Sequence, residues 1–171
     1  MVHPIEFFPE EGKYHYDGHR ACNIRLTPEE TKKAGKRCPK CGKPVTVGVM
    51  YRVSELADRP VGAKPAGAIP FKNLVQLDQI IAESLDMGTA SKRVKAEYEN
   101  LLERLGSELT VLMDATEGDI KSATVPEVAE GIRRMRAGAL HIDPGYDGEY
   151  GTVKIFTEAE RKSITTQTSL F

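Results

Sequence analysis

Two short residue pairs, His19-Arg20-Ala21-Cys22 and Cys38-Pro39-Lys40-Cys41, separated by fifteen residues, constrain this chain more than any other feature. A tetrahedral zinc takes four nitrogen or sulfur ligands, and two pairs with x-x spacing at hairpin tips supply them with little backbone strain. All 3 cysteines of the 171 residues fall in this set, which is odd usage for cysteines that only pack. Pro39 and Gly42 suit the tight turn in which backbone amides face a thiolate. The competing explanations are cysteines buried without a ligand and a redox Cys-x-x-Cys. His15, in Tyr14-His15-Tyr16, rivals His19 as the fourth ligand. Three cysteines and one histidine fill every position around the ion, so the set His19, Cys22, Cys38 and Cys41 reads as structural Zn2+ with no open position for zinc catalysis.

A ribbon of this kind uses only the first third of the chain, so a second unit must fold behind it. The expected fold class is α+β, a small zinc-ribbon β unit followed by a mainly helical unit with a few short strands. Residues 1–58 form the ribbon, and a loop over 59–70, with three prolines and two glycines, separates it from the helical unit at 71–156. A polar, mobile tail over 157–171 completes the chain. Within the ribbon, residues 5–17 predict a strand, a turn and a second strand, Thr27-Pro28-Glu29-Glu30 predicts a capped helix start, and 43–51 predicts a strand. In the second unit, Leu74, Leu77, Ile81 and Leu85 mark one helix face, and Val94, Tyr98, Leu101, Leu102 and Leu105 another that ends at Gly106. Leu109–Met113 predicts a buried strand. Thr124-Val125-Pro126-Glu127 predicts a capping box for a third long helix ending at Gly138, with strands at 139–142 and 151–156. Residues 114–119 read as a loop.

Charge is balanced, with 24 basic and 25 acidic side chains and a net charge of −1, so no global field draws the protein to nucleic acid. Any such binding must be local. Lys32, Lys33, Lys36, Arg37, Lys40 and Lys43 crowd the second knuckle and make a phosphate-binding face, or else a solvated loop. Arg133, Arg134 and Arg136 could grip a backbone phosphate, although a helix carboxyl end attracts arginines without any ligand. Gly145-Tyr146-Asp147-Gly148-Glu149-Tyr150-Gly151 could press against a phosphate or base, or be a hairpin turn whose tyrosines pack at its base. No P-loop, HExxH or Ser-His-Asp order is present. No run of about 18 apolar residues exists, and the first residues lack the basic and apolar regions of a signal peptide. A cytoplasmic protein with no membrane partner is expected.

The chain ends in Gln167-Thr168-Ser169-Leu170-Phe171. A glutamine followed by Leu and Phe on a polar tether suits a peptide that plugs an apolar pocket on a partner. It resembles the bacterial sliding-clamp binding pentapeptide, which implies that Gln167, Leu170 and Phe171 contact a sliding clamp.

The segments Phe7–Arg20, Cys38–Gly42, Arg52–Arg59 and Pro144–Gly151, in order, resemble the carboxyl-terminal half of the endonuclease Q family. Members of that family are DNA repair nucleases. They join an amino-terminal polymerase-and-histidinol-phosphatase domain, with a multi-metal active site, to a zinc-binding module and a helical region. They nick DNA 5′ of deaminated bases and abasic sites. The resemblance implies a DNA partner and a nuclease domain, or its separate chain, that has no counterpart in these 171 residues, and therefore no catalytic residue here. Enzymes acting on a damaged base pull it from the stack and must hold the strand. Tyr14, His15, Tyr16 and Tyr146 are the side chains this sequence offers for that, with Lys36, Arg37, Lys40, Arg133 and Arg134 for phosphates. Two other readings stand beside this one. The first is a self-contained hydrolase with a catalytic metal on Asp143, Asp147 and Glu149; the second is a protein-interaction adaptor built on the ribbon and the tail.

Overall fold

The structure is a computed structural model and describes residues 4–161. In chain order it runs β1 (Ile5–Glu6), β2 (Asp17–His19), β3 (Ile24–Leu26), α1 (Pro28–Lys33), α2 (Val49–Leu56), β4 (Lys72–Asn73), α3 (Leu77–Ser84), α4 (Lys92–Leu105), α5 (Glu117–Ala123), α6 (Pro126–Ala137), β5 (His141–Asp143) and β6 (Thr152–Lys154). The strands form three two-stranded sheets, β1 with β4, β2 with β3 and β5 with β6. This is an α+β fold. Among the described residues no helix is long and apolar enough to cross a membrane.

The described chain divides into two compact units, one containing Phe8–Lys72 and Ile142–Val153, the other Ile5–Phe7, Asn73–His141 and the segment from Lys154. In the first, β2 and β3 pair antiparallel with His19 opposite Ile24. A 3-10 turn at Arg20–Cys22 joins them, and it closes because Asn23 adopts a left-handed conformation (φ 53°) that a short amide side chain tolerates. On its other edge β2 meets the chain again, Gly18 and Thr46 exchanging both backbone bonds at 2.9 and 2.8 Å. Helix α1 starts with the reciprocal box expected from the sequence: the Thr27 hydroxyl accepts from the Glu30 amide and the Glu30 carboxylate accepts from the Thr27 amide. The strand expected over 43–51 is confined to short bridges at Pro44 and Thr46, because α2 begins at Val49. Residues 9–11, expected within a strand and turn, form a 3-10 turn begun by Pro9.

The second unit packs α3 to α6 around Leu77, Ile80, Ile81, Val94, Leu101, Val128 and Ile132, all at most 1% exposed. Gly131 is where α3 and α6 approach: a Cβ there would lie 2.6 Å from Ser84 Oγ and 3.0 Å from Ile80 Cγ2. Leu109–Met113 is not a strand. Residues Thr110–Asp114 wind as a π turn, whose carbonyls the Arg136 guanidinium collects from Val111, Leu112 and Ala115 at 2.7, 3.0 and 2.7 Å. An apolar run of five fits either a strand or a helical turn, and the arginine decides it. The segment expected as a loop at 114–119 instead opens α5, with Thr116 and Asp119 as its capping box. The box expected at Thr124 is absent: Pro126 takes the first helical position, Val125 becomes the cap, and the Thr124 hydroxyl donates to Glu97 instead.

Candidate metal centre and its surroundings

The two hairpin tips of the first unit bring His19, Cys22, Cys38 and Cys41 together, with one ligand atom from each lying within 4.8 Å of all the others. His19 ends β2 and Cys22 closes the following turn, so the β2–β3 register fixes the first pair. The second pair sits in a tight loop where Cys38 donates its amide to the Lys43 carbonyl and accepts from Gly42 at 2.8 Å each. Gly42 has φ 74°, open to glycine without strain. Among the described residues this is the one group of three or more His, Cys, Asp and Glu side chains arranged to hold a metal ion.

Thiol chemistry tests whether the set fits a cation. Burial pushes the Cys38 thiol up, but the Cys41 and Lys40 amides and the His19 ring outweigh it and bring the pKa down to about 6. Its neighbour moves the other way, the Cys22 thiol being pushed up to about 11 by its hydrogen bond with Cys41, by burial and by Cys38. Three thiols this close cannot all ionise without a positive charge between them, and a dication supplies it. Tetrahedral bonds of about 2.3 Å to sulfur and 2.0–2.1 Å to nitrogen set ligands roughly 3.5–3.8 Å apart. The Cys41 Sγ to His19 Nδ1 separation is 3.4 Å. The residues therefore fit a four-coordinate metal ion and are compatible with zinc. His15 is outside the group: it is buried, its Nδ1 lies 3.0 Å from the Pro9 carbonyl, and its ring meets Tyr16 edge-on at 4.8 Å.

The glycine-rich loop at 144–151 is tied to both knuckles. The Asp147 carboxylate accepts from the Arg20 amide at 2.5 Å and from the Thr46 hydroxyl. Burial alone would raise its pKa, but these two donors and the nearby Arg20 charge hold it below the usual carboxylate range. Asp143 pairs with Arg25 at 2.5 Å, and Glu149 faces Arg20 at 3.6 Å. The three acids considered for a catalytic metal are thus engaged elsewhere, Asp143 with Arg25, Glu149 with Arg20, and Asp147 with Arg20 and Thr46. Tyr146 is also employed, its hydroxyl donating to Asn23 at 2.8 Å and its ring lying where a Gly18 Cβ would come within 2.3 Å. Tyr16 is half-buried, whereas Tyr14 is exposed.

All six cations expected around the second knuckle are exposed. Lys32 and Lys36 both lie over the Tyr51 ring, at 5.7 and 4.5 Å, and Arg37 donates to the Gly42 carbonyl. In the second unit, Arg133 makes two bonds of 2.7 Å to Glu130, and Arg134 binds Glu130, Glu160 and the Ile155 carbonyl. The Glu130 pairs follow the i,i+3 and i,i+4 spacing that a helical sequence shows, whereas Glu160 and the Ile155 carbonyl lie more than twenty residues from Arg134 and carry no such signal. The same unit contains a cavity of about 690 Å³ walled by Phe7, Leu74, Val94, Tyr98 and Leu109. At its edge Glu108 accepts from the Leu77 amide, which starts α3, and from Tyr98 Oη, both at 2.9 Å. Gln167, Leu170 and Phe171 lie outside the described residues.

Residues 76–139 match the family described as the MJ0043 C-terminal domain. Over 145 residues the chain is 35% identical to the uncharacterized protein MJ0043 of Methanocaldococcus jannaschii, covering 85% of this chain and 18% of that protein. It is 29% identical over 147 residues to the uncharacterized protein YqxK of Bacillus subtilis, covering 85% of this chain and 34% of the relative. Among solved structures, the lesion-specific endonuclease PfuEndoQ from Pyrococcus furiosus matches with a TM-score of 0.76 and 36% identity over 90% of this chain and 38% of its own. Endonuclease Q in complex with a 27-mer duplex substrate carrying an abasic lesion matches with a TM-score of 0.71 and 35% identity, over 91% of this chain and 39% of its own. The chain thus spans well under half the length of each of these proteins. Fold and site define an endonuclease-related region with a Cys/His metal set. More particularly, the chain corresponds to the carboxyl-terminal region of the endonuclease Q family.

Proposed function

We propose that this chain is the DNA-binding, substrate-handling region of an endonuclease Q-like repair enzyme that nicks 5′ of deaminated bases, with cleavage performed by a nuclease domain outside these residues. The observation that carries the reading is similarity, over nine-tenths of the chain, to an endonuclease solved on a lesion-bearing duplex. Zn2+ bound by His19, Cys22, Cys38 and Cys41 holds the two knuckles rigid, and rigidity lets an exposed cluster of cations keep a fixed spacing against phosphates. Lys36, Arg37 and Lys40 are the foremost phosphate-binding side chains in this reading. Arg133 and Arg134, held by ion pairs of 2.7–3.0 Å to Glu130 and Glu160, contribute less than Lys36, whose pair with Glu55 is 4.0 Å long. A sliding clamp that takes Gln167, Leu170 and Phe171 recruits the protein to DNA in the cytoplasm.

The test is a salt series of fluorescence-anisotropy titrations on a uracil-containing and an undamaged duplex. Removing one phosphate-binding cation lowers the slope of log K against log salt by about one unit. Lys36→Ala, Arg37→Ala and Lys40→Ala combined should flatten it by two to three such units, roughly. An unchanged slope removes this face from the proposal. Metal-dependent cleavage of the uracil duplex by the chain alone would overturn the division of labour.

A further inference from the structure

Among the described residues three aromatic side chains of the first unit are exposed, Tyr150 at 72%, Phe71 at 57% and Tyr14 at 46%, and two of them, Tyr14 and Tyr150, share a neighbour. They are 136 positions apart in sequence, and one side chain joins them. The Lys13 ammonium stands 5.7 Å from the Tyr14 ring centroid and 5.6 Å from that of Tyr150. Among the described residues Lys13 has no carboxylate partner; the two rings are what it faces. By contrast, Arg20 and Arg25 on the same unit are matched by Glu149 and Asp143.

The backbone beneath these three side chains is fastened by hydrogen bonds between the turn at 9–16 and the loop at 145–151. Gly145 and Gly151 donate their amides to the Glu10 and Glu11 carbonyls at 2.8 and 3.1 Å, Gly148 donates to Lys13 at 2.9 Å, and Tyr16 donates to Gly145 at 3.0 Å. This approach requires glycine: a Cβ on Gly151 would sit 2.0 Å from the Glu10 oxygen, and one on Gly145 would sit 2.5 Å from the Gly12 oxygen. A fold that holds two tyrosines stiffly in water, with an unneutralised ammonium between them, presents flat π surface and a phosphate-seeking charge at one spot. That combination is what an unstacked nucleobase and its adjoining phosphate require.

We infer that Tyr14, Lys13 and Tyr150 form a stacking platform for an unpaired nucleobase of the DNA, with Lys13 taking the neighbouring phosphate. The inference rests on the DNA-binding reading above and moves the stacking role from Tyr146, whose ring and hydroxyl are occupied, to Tyr150. Because stacking on a tyrosine does not read hydrogen-bonding edges, the platform accepts any base and responds to whether it is unpaired.

The experiment uses the full chain and two DNA probes, a single-stranded oligonucleotide and a duplex with one abasic site, each carrying 2-aminopurine beside the unpaired position. Wild-type protein should quench 2-aminopurine on binding. Tyr150→Ala and Tyr150→Leu should lose the quenching and weaken binding about tenfold, the scale of one stacked base, with the salt slope kept. Tyr150→Phe should retain both quenching and affinity. Lys13→Ala should lower the salt slope by about one unit. If wild type binds and Tyr150→Ala binds and quenches as well as wild type, the platform is refuted while the DNA-binding reading stands. If wild type binds neither probe, both fall. Metal content, measured in parallel, should be unchanged in every variant.

Discussion

In the first unit one buried hydrophobic cluster consists of Leu26, Cys38 and Val45, with Cys22 and Ile24 partly covered, so two of its five members also belong to the Cys/His set that could hold a metal ion. The helical unit instead closes over a continuous apolar interior from Leu77 to Phe156, to which each of its four helices contributes at least one buried side chain. Burying an aliphatic side chain stabilises by about 1.5–3 kcal/mol, so the second unit has what it needs from its own residues. The first has fewer buried apolar side chains to draw on and is held largely by main-chain bonds such as Gly18 with Thr46, Val49 with Tyr14 and Gly145 with Glu10, so a metal at the four Cys and His side chains is expected to add a large share of its stability. Of two units in one short chain, one is therefore expected to depend on a bound metal and the other is not.

Metal removal should expose that difference most strongly. Structural zinc contributes on the order of 10 kcal/mol in isolated fingers, so chelation should abolish hydrogen-exchange protection across Asp17–Leu56 and leave α3–α6 protected. Uniform loss in both units would make them a single cooperative body. The reciprocal perturbation, Ile132→Ala in the helical interior, should cost about 2–5 kcal/mol in denaturant titrations. Bound metal, assayed at the same time, should not change.

Gly151→Ala probes a smaller dependence within the ribbon unit. The new Cβ, 2.0 Å from a backbone oxygen, should force the loop off residues 10–11 at a cost of roughly 1–3 kcal/mol, seen as a lower urea midpoint, whereas Gly118→Ala, with only a side-chain oxygen at 3.8 Å, should not destabilise. The smallest expected effect is electrostatic. Glu160 is held down to about 2 by the Thr157 amide and by Arg134 and His141. A depressed carboxylate contributes stability above its unfolded value, near 4.5, that disappears as pH falls towards about 2. Glu160→Gln should flatten the acid limb of the helical unit's stability curve over that window, and an unaltered limb would show that the pairing is too exposed to matter.

How much of this is legible in the sequence differs between the units for the same reason. Ligand spacing is local, so the three cysteines of the candidate metal set can be read from the sequence, while the choice of His19 over His15 comes from the fold; the 3.6-residue period of α4, from Val94 to Leu105, is equally plain. Pairings between distant segments are not. Asp147 ties the glycine loop to Arg20 and Thr46 across 127 and 101 residues, so an acid that looks available for catalysis is a structural tether. The π turn at Thr110–Asp114 depends on Arg136, 21 to 25 residues away, and α5 follows a capping box on a polar stretch with little apolar period. Sequence shows Tyr146 and Tyr150 as two tyrosines in one loop, and only the fold shows that the first is bonded to Asn23 and the second is exposed.

The most direct test of the conditional ribbon is native mass spectrometry of the full chain purified without chelator, with the bound element identified by plasma emission. One zinc per chain, absent after Cys38→Ser and retained after His15→Ala, is the predicted result. A folded ribbon unit carrying no metal, shown by full exchange protection of Asp17–Leu56 in the same preparation, would contradict it.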